Sequence, residues 1–308
     1  MILPFLLAMT ACQDSPDSAA SGAPAPGWTT GRTHDGRWLD IADSYVPWAL
    51  RDDGLVVREY EAEAYGSADA PFESATLCTG IGMGDHYFWP PCILSEGKAY
   101  SMGSEAVEVD SLDIPGGAKF RSQMHWGDGY ISCAAGGGTG GCTQVPVSDA
   151  LGGLAETVKQ ATAISGGVLD LAVATDDHVY HWPGDPPGSF EIRAVELRYG
   201  TTYLWALDTV GEVWLLRDTT GAESFATGAV TIGGEGLWQL ADGTLWGAGT
   251  NYNDERIVRG PALPGVATKL LGNVHEGCAL IEHDLFCWSN DPISSYYLPF
   301  PDYITPDE

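Results

Sequence analysis

The sequence predicts an all-β chain assembled from seven small, similar sheets. The first observation behind this is composition. Among 308 residues there are 40 glycines and 19 prolines beside 11 tryptophans and 13 tyrosines, the mixture of turn formers and strand formers that many short strands require. The second is a recurring hairpin, in which a short apolar strand meets a polar turn and then a second apolar strand, often ending in Trp. The third is its spacing. Taking the third residue of each copy as a mark gives Leu50, Leu94, Ala135, Ala174, Leu207, Leu240 and Leu280, at intervals of 33 to 44 residues. Seven units of this size, none able to bury both of its own faces, stack into the ring of a seven-bladed β-propeller.

In chain order, Met1 to Cys12 is a short apolar run ending in Ala11-Cys12, too short to span a bilayer as a helix. It resembles a bacterial lipoprotein signal, which implies cleavage after residue 11 and lipidation of Cys12. An ordinary secretory signal cut near Ala19-Ala20 is the alternative. Gln13 to Gly27 holds no large apolar residue and cannot offset its ordering entropy, so residues 12–27 read as a lipidated cysteine and flexible tether. Residues 28–308 read as a single propeller domain. Gly36 to Ile41 is expected to add a strand to the last blade and so close the ring. The glycines at 127, 166, 200, 233 and 272 are expected where inner strands begin, because backbones approach closely there. Ser148 to Gln160 reads as a short helix, with Leu151, Leu154 and Val158 on one face.

Seven cysteines are present, and setting Cys12 aside leaves six. Exported chains oxidise cysteines in pairs, and the short separations favour Cys78–Cys92, Cys133–Cys142 and Cys278–Cys287. A hairpin turning at Glu282-His283 sets Leu280 opposite Leu285 and Cys278 opposite Cys287. Those are facing strand positions, where a bridge is feasible. Zinc is the competing use of these cysteines, but the spacings of zinc-ligand motifs are missing.

His275-Glu276-Gly277-Cys278-Ala279-Leu280 with Phe286-Cys287-Trp288-Ser289-Asn290 resembles the repeat of the regulator-of-chromosome-condensation β-propellers. Trp246 to Asn251 is a looser version of the second half of that repeat. The resemblance runs from about Tyr45 to Asn290, with degenerate N-terminal blades. Nuclear members of that family act as exchange factors and bind chromatin. Exported bacterial propellers with this repeat include a β-lactamase inhibitory protein, which is the closer functional analogue for an exported chain.

Charge narrows the partners. A formal net charge of −28 repels nucleic acid and anionic lipid headgroups, leaving a lipid anchor as the expected membrane contact. No nucleophile elbow, zinc-protease helix or P-loop occurs. His178 and His181 are offset so that a strand would send them to opposite faces. Asn251, Asn253, Asp254 and Glu255 supply oxygen ligands of the kind calcium takes, without the spacing of a defined loop. The expectation is therefore no catalytic residue, no cofactor and no resident metal. The segment Asp85 to Cys92 places His86, Tyr87, Phe88 and Trp89 before two prolines, inside the Cys78–Cys92 loop. A rigid aromatic loop of this kind suits partner binding, although Phe88 and Trp89 would equally serve as inter-blade core. Tyr296 to Phe300 with Tyr303 is a second aromatic candidate. The sequence is thus read as a monomeric, non-catalytic lipoprotein of the outer membrane or cell surface that binds a protein through propeller loops. A secreted enzyme inhibitor and a carbohydrate-active hydrolase are the alternatives.

Overall fold

In a computed structural model of the chain, the residues described are 28–30, 37–44, 46–52, 55–58, 61–64, 75–78, 92–95, 98–102, 106–108, 120–126, 129–136, 139–145, 157–166, 171–182, 188–199, 203–217, 221–248, 257–289 and 303–306. The chain is an all-β β-propeller. After β1 (Trp28–Thr30), the first sheet is a four-stranded meander of β2 (Trp38–Ser44), β3 (Val46–Arg51), β4 (Leu55–Arg58) and β5 (Glu61–Ala64). The next comprises β6 (Ala75–Cys78), β7 (Cys92–Ser95), β8 (Lys98–Met102) and β9 (Ala106–Glu108). Three strands follow, β10 (Phe120–Trp126), β11 (Gly129–Gly136) and β12 (Thr139–Val145). Two further meanders are β13 (Ala163–Gly166), β14 (Leu171–Ala174), β15 (Val179–Trp182) and β16 (Gly188–Phe190), then β17 (Ala194–Tyr199), β18 (Leu204–Asp208), β19 (Glu212–Arg217) and β20 (Gly221–Thr227). After them come β21 (Ala229–Ile232), β22 (Leu237–Leu240), β23 (Thr244–Ala248) and β24 (Ile257–Ala262). The last sheet contains β25 (Lys269–Gly272), β26 (Glu276–Ile281) and β27 (Asp284–Ser289), extended by β28 (Tyr303–Pro306) and then β1.

The first strands of successive sheets touch one another: β2 meets β6, β6 meets β10, and so on through β13, β17 and β21 to β25, which returns to β2. Each sheet then packs its two faces against its two neighbours. This explains why the strands read as continuous apolar runs rather than half-polar alternations. In β18, Leu204 and Ala206 enter the core shared with the preceding sheet, while Trp205 and Leu207 enter the core shared with the following one. In β26, Ala279 faces back and Cys278 and Leu280 face forward. Period-two alternation sends adjacent residues to opposite faces, and here both faces are core.

All seven sequence marks fall on the second strand of a sheet: Leu50 on β3, Leu94 on β7, Ala135 on β11, Ala174 on β14, Leu207 on β18, Leu240 on β22 and Leu280 on β26. Two expectations are corrected, and a third is met in part. Gly36 to Ile41 does not add to the last sheet. Trp38 begins β2, the first strand of its own sheet, and the last sheet is extended by β28, parallel to β27, and by β1, antiparallel to β28. Trp38 still belongs to the seam, because its N–H donates to the His283 carbonyl at 3.0 Å and its side chain packs with Ile41, Leu271, Leu280 and Leu285. Next, Gly166 and Gly272 end the first strands β13 and β25, and Gly233 follows β21, so these glycines mark where inner strands stop. Finally, of the expected helix at 148–160, residues 157 and 158 are helical, 159 and 160 form a turn, and Val158 is fully buried; residues 148–156 lie outside the described residues.

Candidate binding face

Because each sheet is a meander, the propeller has two distinct ends. At one, called here the turn end, the first strands start and the second strands turn into the third. At the other, first strands pass into second strands and third into fourth. The turn end of the sheets beginning with β17, β21 and β25 gathers Val195, Val210, Val230 and Val266, which are 50%, 80%, 40% and 49% exposed.

Two of these valines are presented by β-bulges. In β17, Ala194 pairs with Asp208 and Glu196 with Leu207, leaving Val195 without an opposite residue. In β21, Ala229 pairs with Leu240 and Thr231 with Gln239, leaving Val230 likewise. A third bulge, between Trp38 and Asp40 of β2, leaves half-buried Leu39 in the same position. The sheet beginning with β13 serves as an internal control. Its first strand reads Ala163-Ile164-Ser165, its pairing with β14 is unbroken, and Ile164 is only 9% exposed. The bulge is therefore what turns the second residue outward, in keeping with the tendency of bulges to re-aim a side chain.

Beside the bulges of β2 and β17 stands a carboxylate that ties its strand to the next sheet. Asp40 accepts from the Leu77 N–H at 2.6 Å across to β6, and Glu196 accepts from the Ile232 N–H at 3.1 Å across to β21. Ser165 does the same for the Tyr199 N–H at 3.2 Å without a bulge. Glu196 is also held by Arg198 at 2.5 Å and by the Thr231 hydroxyl at 3.1 Å. Asp40, almost fully buried, is ion-paired with Lys269 of β25 at 2.6 Å. One carboxylate thus joins the last, first and second sheets.

The other two valines sit on built turns. Asp208 accepts from the N–H groups of Val210 and Glu212, each at 2.9 Å, and from the Trp214 indole at 3.1 Å. At Gly211 the backbone is left-handed, with φ of 82°, and a Cβ there would stand 2.8 Å from the Ala229 carbonyl oxygen, so only glycine fits. Val266 lies between two residues fixed by fully buried Gln239, whose amide donates to the Gly265 carbonyl at 2.7 Å and accepts from the Ala267 N–H at 2.8 Å. The exposed aliphatic groups are thus held by hydrogen bonds, and little entropy remains to be lost on contact.

Carboxylates share this end. Exposed Asp176, Asp177, Asp242 and Glu282 occupy turns at this end. The hydrogen bond from His178, followed by that from the Thr175 hydroxyl, holds Asp177 below the ordinary aspartate range. Hydrogen bonds from the Thr244 N–H and then its hydroxyl do the same for Asp242.

Among the other candidate residues, Cys278 and Cys287 form a disulfide inside the seam core. Backbone register sets Cys133 opposite Cys142 and Cys78 opposite Cys92. Cys12, the aromatic run His86, Tyr87, Phe88 and Trp89, the Asn251, Asn253, Asp254 and Glu255 group, and Tyr296 to Phe300 lie outside the described residues. Tyr303 starts β28 in the extended last sheet. His178 and His181 make separate ring contacts, with Tyr180 and Tyr199. Among the described residues no group of three or more His, Cys, Asp or Glu is placed to hold a metal, and no helix is long and apolar enough to cross a membrane. Sequence reasoning missed the bulged valines. Ala194-Val195-Glu196-Leu197 nearly repeats as Ala229-Val230-Thr231-Ile232, but the unbulged Ala163-Ile164-Ser165 shares the pattern, so it does not mark the bulge.

The fold defines the class of protein, a β-propeller, and solved structures of that shape are its comparators. PorZ, an essential bacterial surface component of the type-IX secretion system of Porphyromonas gingivalis, is similar at 10% identity with a TM-score of 0.52, over 85% of this chain and 38% of PorZ. The extracellular domain of BT4673 from B. thetaiotaomicron is similar at 10% identity and a TM-score of 0.55, over 83% of this chain and 39% of that one. YCF48 from Cyanidioschyzon merolae is similar at 11% identity and a TM-score of 0.50, over 84% of this chain and 97% of YCF48. The chain spans well under half the length of the first two, and likeness at such identity is likeness of fold. No protein-family model matches the chain, and no curated protein matches it in sequence.

Proposed function

We propose that this chain is a non-catalytic, exported lipoprotein that binds another protein through one end of its propeller. In this reading the ring has seven blades of the regulator-of-chromosome-condensation type, the second-strand marks being its repeat signature. The observation that carries the binding role is the turn end, where Val195, Val210, Val230 and Val266 are exposed on backbone fixed by bulges and hydrogen bonds. Solvent-facing aliphatic groups on a rigid frame mark contact surfaces more often than catalytic ones. The bacterial surface role of PorZ and the extracellular placement of the BT4673 domain support an exported location, and the paired cysteines fit an oxidising compartment.

The test uses a photo-reactive amino acid at Val230, and in a second strain at Ala222, which is exposed near the start of β20, toward the other end of the propeller. Irradiated cells should yield a discrete protein adduct from one of the two strains. The absence of any adduct from either would overturn the binding role. In parallel, Cys12→Ser should release the chain from membranes, and non-reducing peptide mapping should return Cys78–Cys92 and Cys133–Cys142 beside Cys278–Cys287. A membrane-retained Cys12→Ser chain would remove the lipoprotein reading.

A further inference from the structure

We infer that the turn end of the sheets beginning with β17, β21 and β25 docks a basic protein segment that also carries aliphatic side chains. The inference rests on the protein-binding reading above and adds to it the chemistry of the partner.

The partner's charge follows from complementarity. Asp176, Asp177, Asp242 and Glu282 are exposed at this end, on a molecule whose net charge is −28. Two nearby cations are already ion-paired, Arg37 with Asp52 at 3.2 Å and Lys269 with Asp40 at 2.6 Å. Exposed Arg193, Lys159 and Arg259 are further described cations near this end, Arg259 acting on Asp242, and the excess of carboxylates is that of the whole molecule, 42 acidic residues against 14 basic. A surface of this sign accelerates encounter with a cationic segment and repels acidic peptides, nucleic acid and anionic lipid. The partner's apolar component follows from the bulges. The unbroken strand β13 buries Ile164, so the exposure of Val195 and Val230 comes from the local geometry of β17 and β21. Exposed aliphatic groups and carboxylates at one end offer a partner both components of a protein interface, apolar groups that exclude water and a polar border. A partner offering lysine or arginine alone would leave those valines wet.

The test measures fluorescence anisotropy of labelled peptides against the full chain in non-ionic detergent. The probes are a peptide of alternating lysine and leucine, one of alternating lysine and glycine, and one of alternating glutamate and leucine, all of equal length. The lysine–leucine peptide should bind tightest, weaken as salt is raised, and lose about tenfold in affinity to the Val195→Ser/Val230→Ser chain. Should that chain melt below the parent, Val210→Ser/Val266→Ser replaces it, since those valines sit on turns and connections outside the strand pairing. Equal affinity for the lysine–leucine and lysine–glycine peptides, or parent-like binding by the valine variants, overturns the inference. Loss of binding in Trp89→Ala alone also overturns this face, while leaving the protein-binding role intact. That role has its own arbiter in the photo-adducts, which need no peptide.

Discussion

Asp40 satisfies three partners, as Glu196 and Asp208 do, but it does so almost out of contact with water. Its oxygens accept from the backbone N–H groups of Ile41 and Leu77 and pair with Lys269. A buried charge is tolerable only when it is this well served. Replacing it with alanine removes the charge partner of Lys269, which is partly solvated, and orphans a buried N–H on β6. Asp40→Ala should therefore cost about 2–4 kcal/mol in denaturant-melt stability; a loss within experimental scatter would show that the seam is held by packing alone. Asp242 acts at the surface and through pH. Its pKa in the folded chain is lowered by the Thr244 N–H and then the Thr244 hydroxyl, so it adds stability above the unfolded aspartate value and loses it as pH falls through the lower folded value. The stability gap between parent and Asp242→Ala should be present at neutral pH and close in strong acid. A gap that is unchanged down to pH 2 would contradict this origin.

At the level of elements, the bulge accounts for an asymmetry between sheets with similar sequence. Ile164→Ser removes a buried aliphatic group from β13 and should cost about 2–4 kcal/mol. Val195→Ser/Val230→Ser changes bulged, exposed positions and should melt within about 0.5 kcal/mol per site of the parent. Thermal melts of the two variants separate the cases, and equal destabilisation would mean that the valines are core. The same contrast shows how much the sequence disclosed. The hairpins were legible because register along two adjacent strands is local: Cys278 opposite Cys287 and Leu280 opposite Leu285 follow from where the turn falls. The first strands were not. Ala194-Val195-Glu196 and Ala163-Ile164-Ser165 both read as short β segments, and the bulge that separates them depends on how each sits against its second strand and the neighbouring sheet. The ties from Asp40 to Leu77 and from Glu196 to Ile232 join residues in different sheets, beyond what a hairpin pattern encodes. Closure was misjudged for a related reason, since the tryptophan that marks β2 as apolar serves the seam through its face and not through strand pairing.

For the whole molecule, a net charge of −28 sets two salt effects in opposition. Self-repulsion among the carboxylates destabilises the compact state, and added salt screens it over a Debye length that falls from ~30 Å at 0.01 M to ~10 Å at 0.1 M. The melting temperature should therefore rise between those two concentrations, while the affinity for the lysine–leucine peptide falls. A melting temperature that drops with salt would point to ion pairs such as Lys269–Asp40 outweighing the repulsion. The first and last described strands also share a sheet, with Trp28 opposite Pro306 and Leu285 beside Tyr303. This arrangement has a consequence for biosynthesis. No polypeptide that stops short of residue 303 can lay down β28, which stands between β1 and β27, so β1 has no place in the sheet until that strand exists. Until then the outer edge of β27 stays open to any other extended chain, and the closing contact joins residues 28 and 306, a separation of the kind that is slow to find. Sealing therefore waits for both strands to stand on the same side of any membrane the chain crosses.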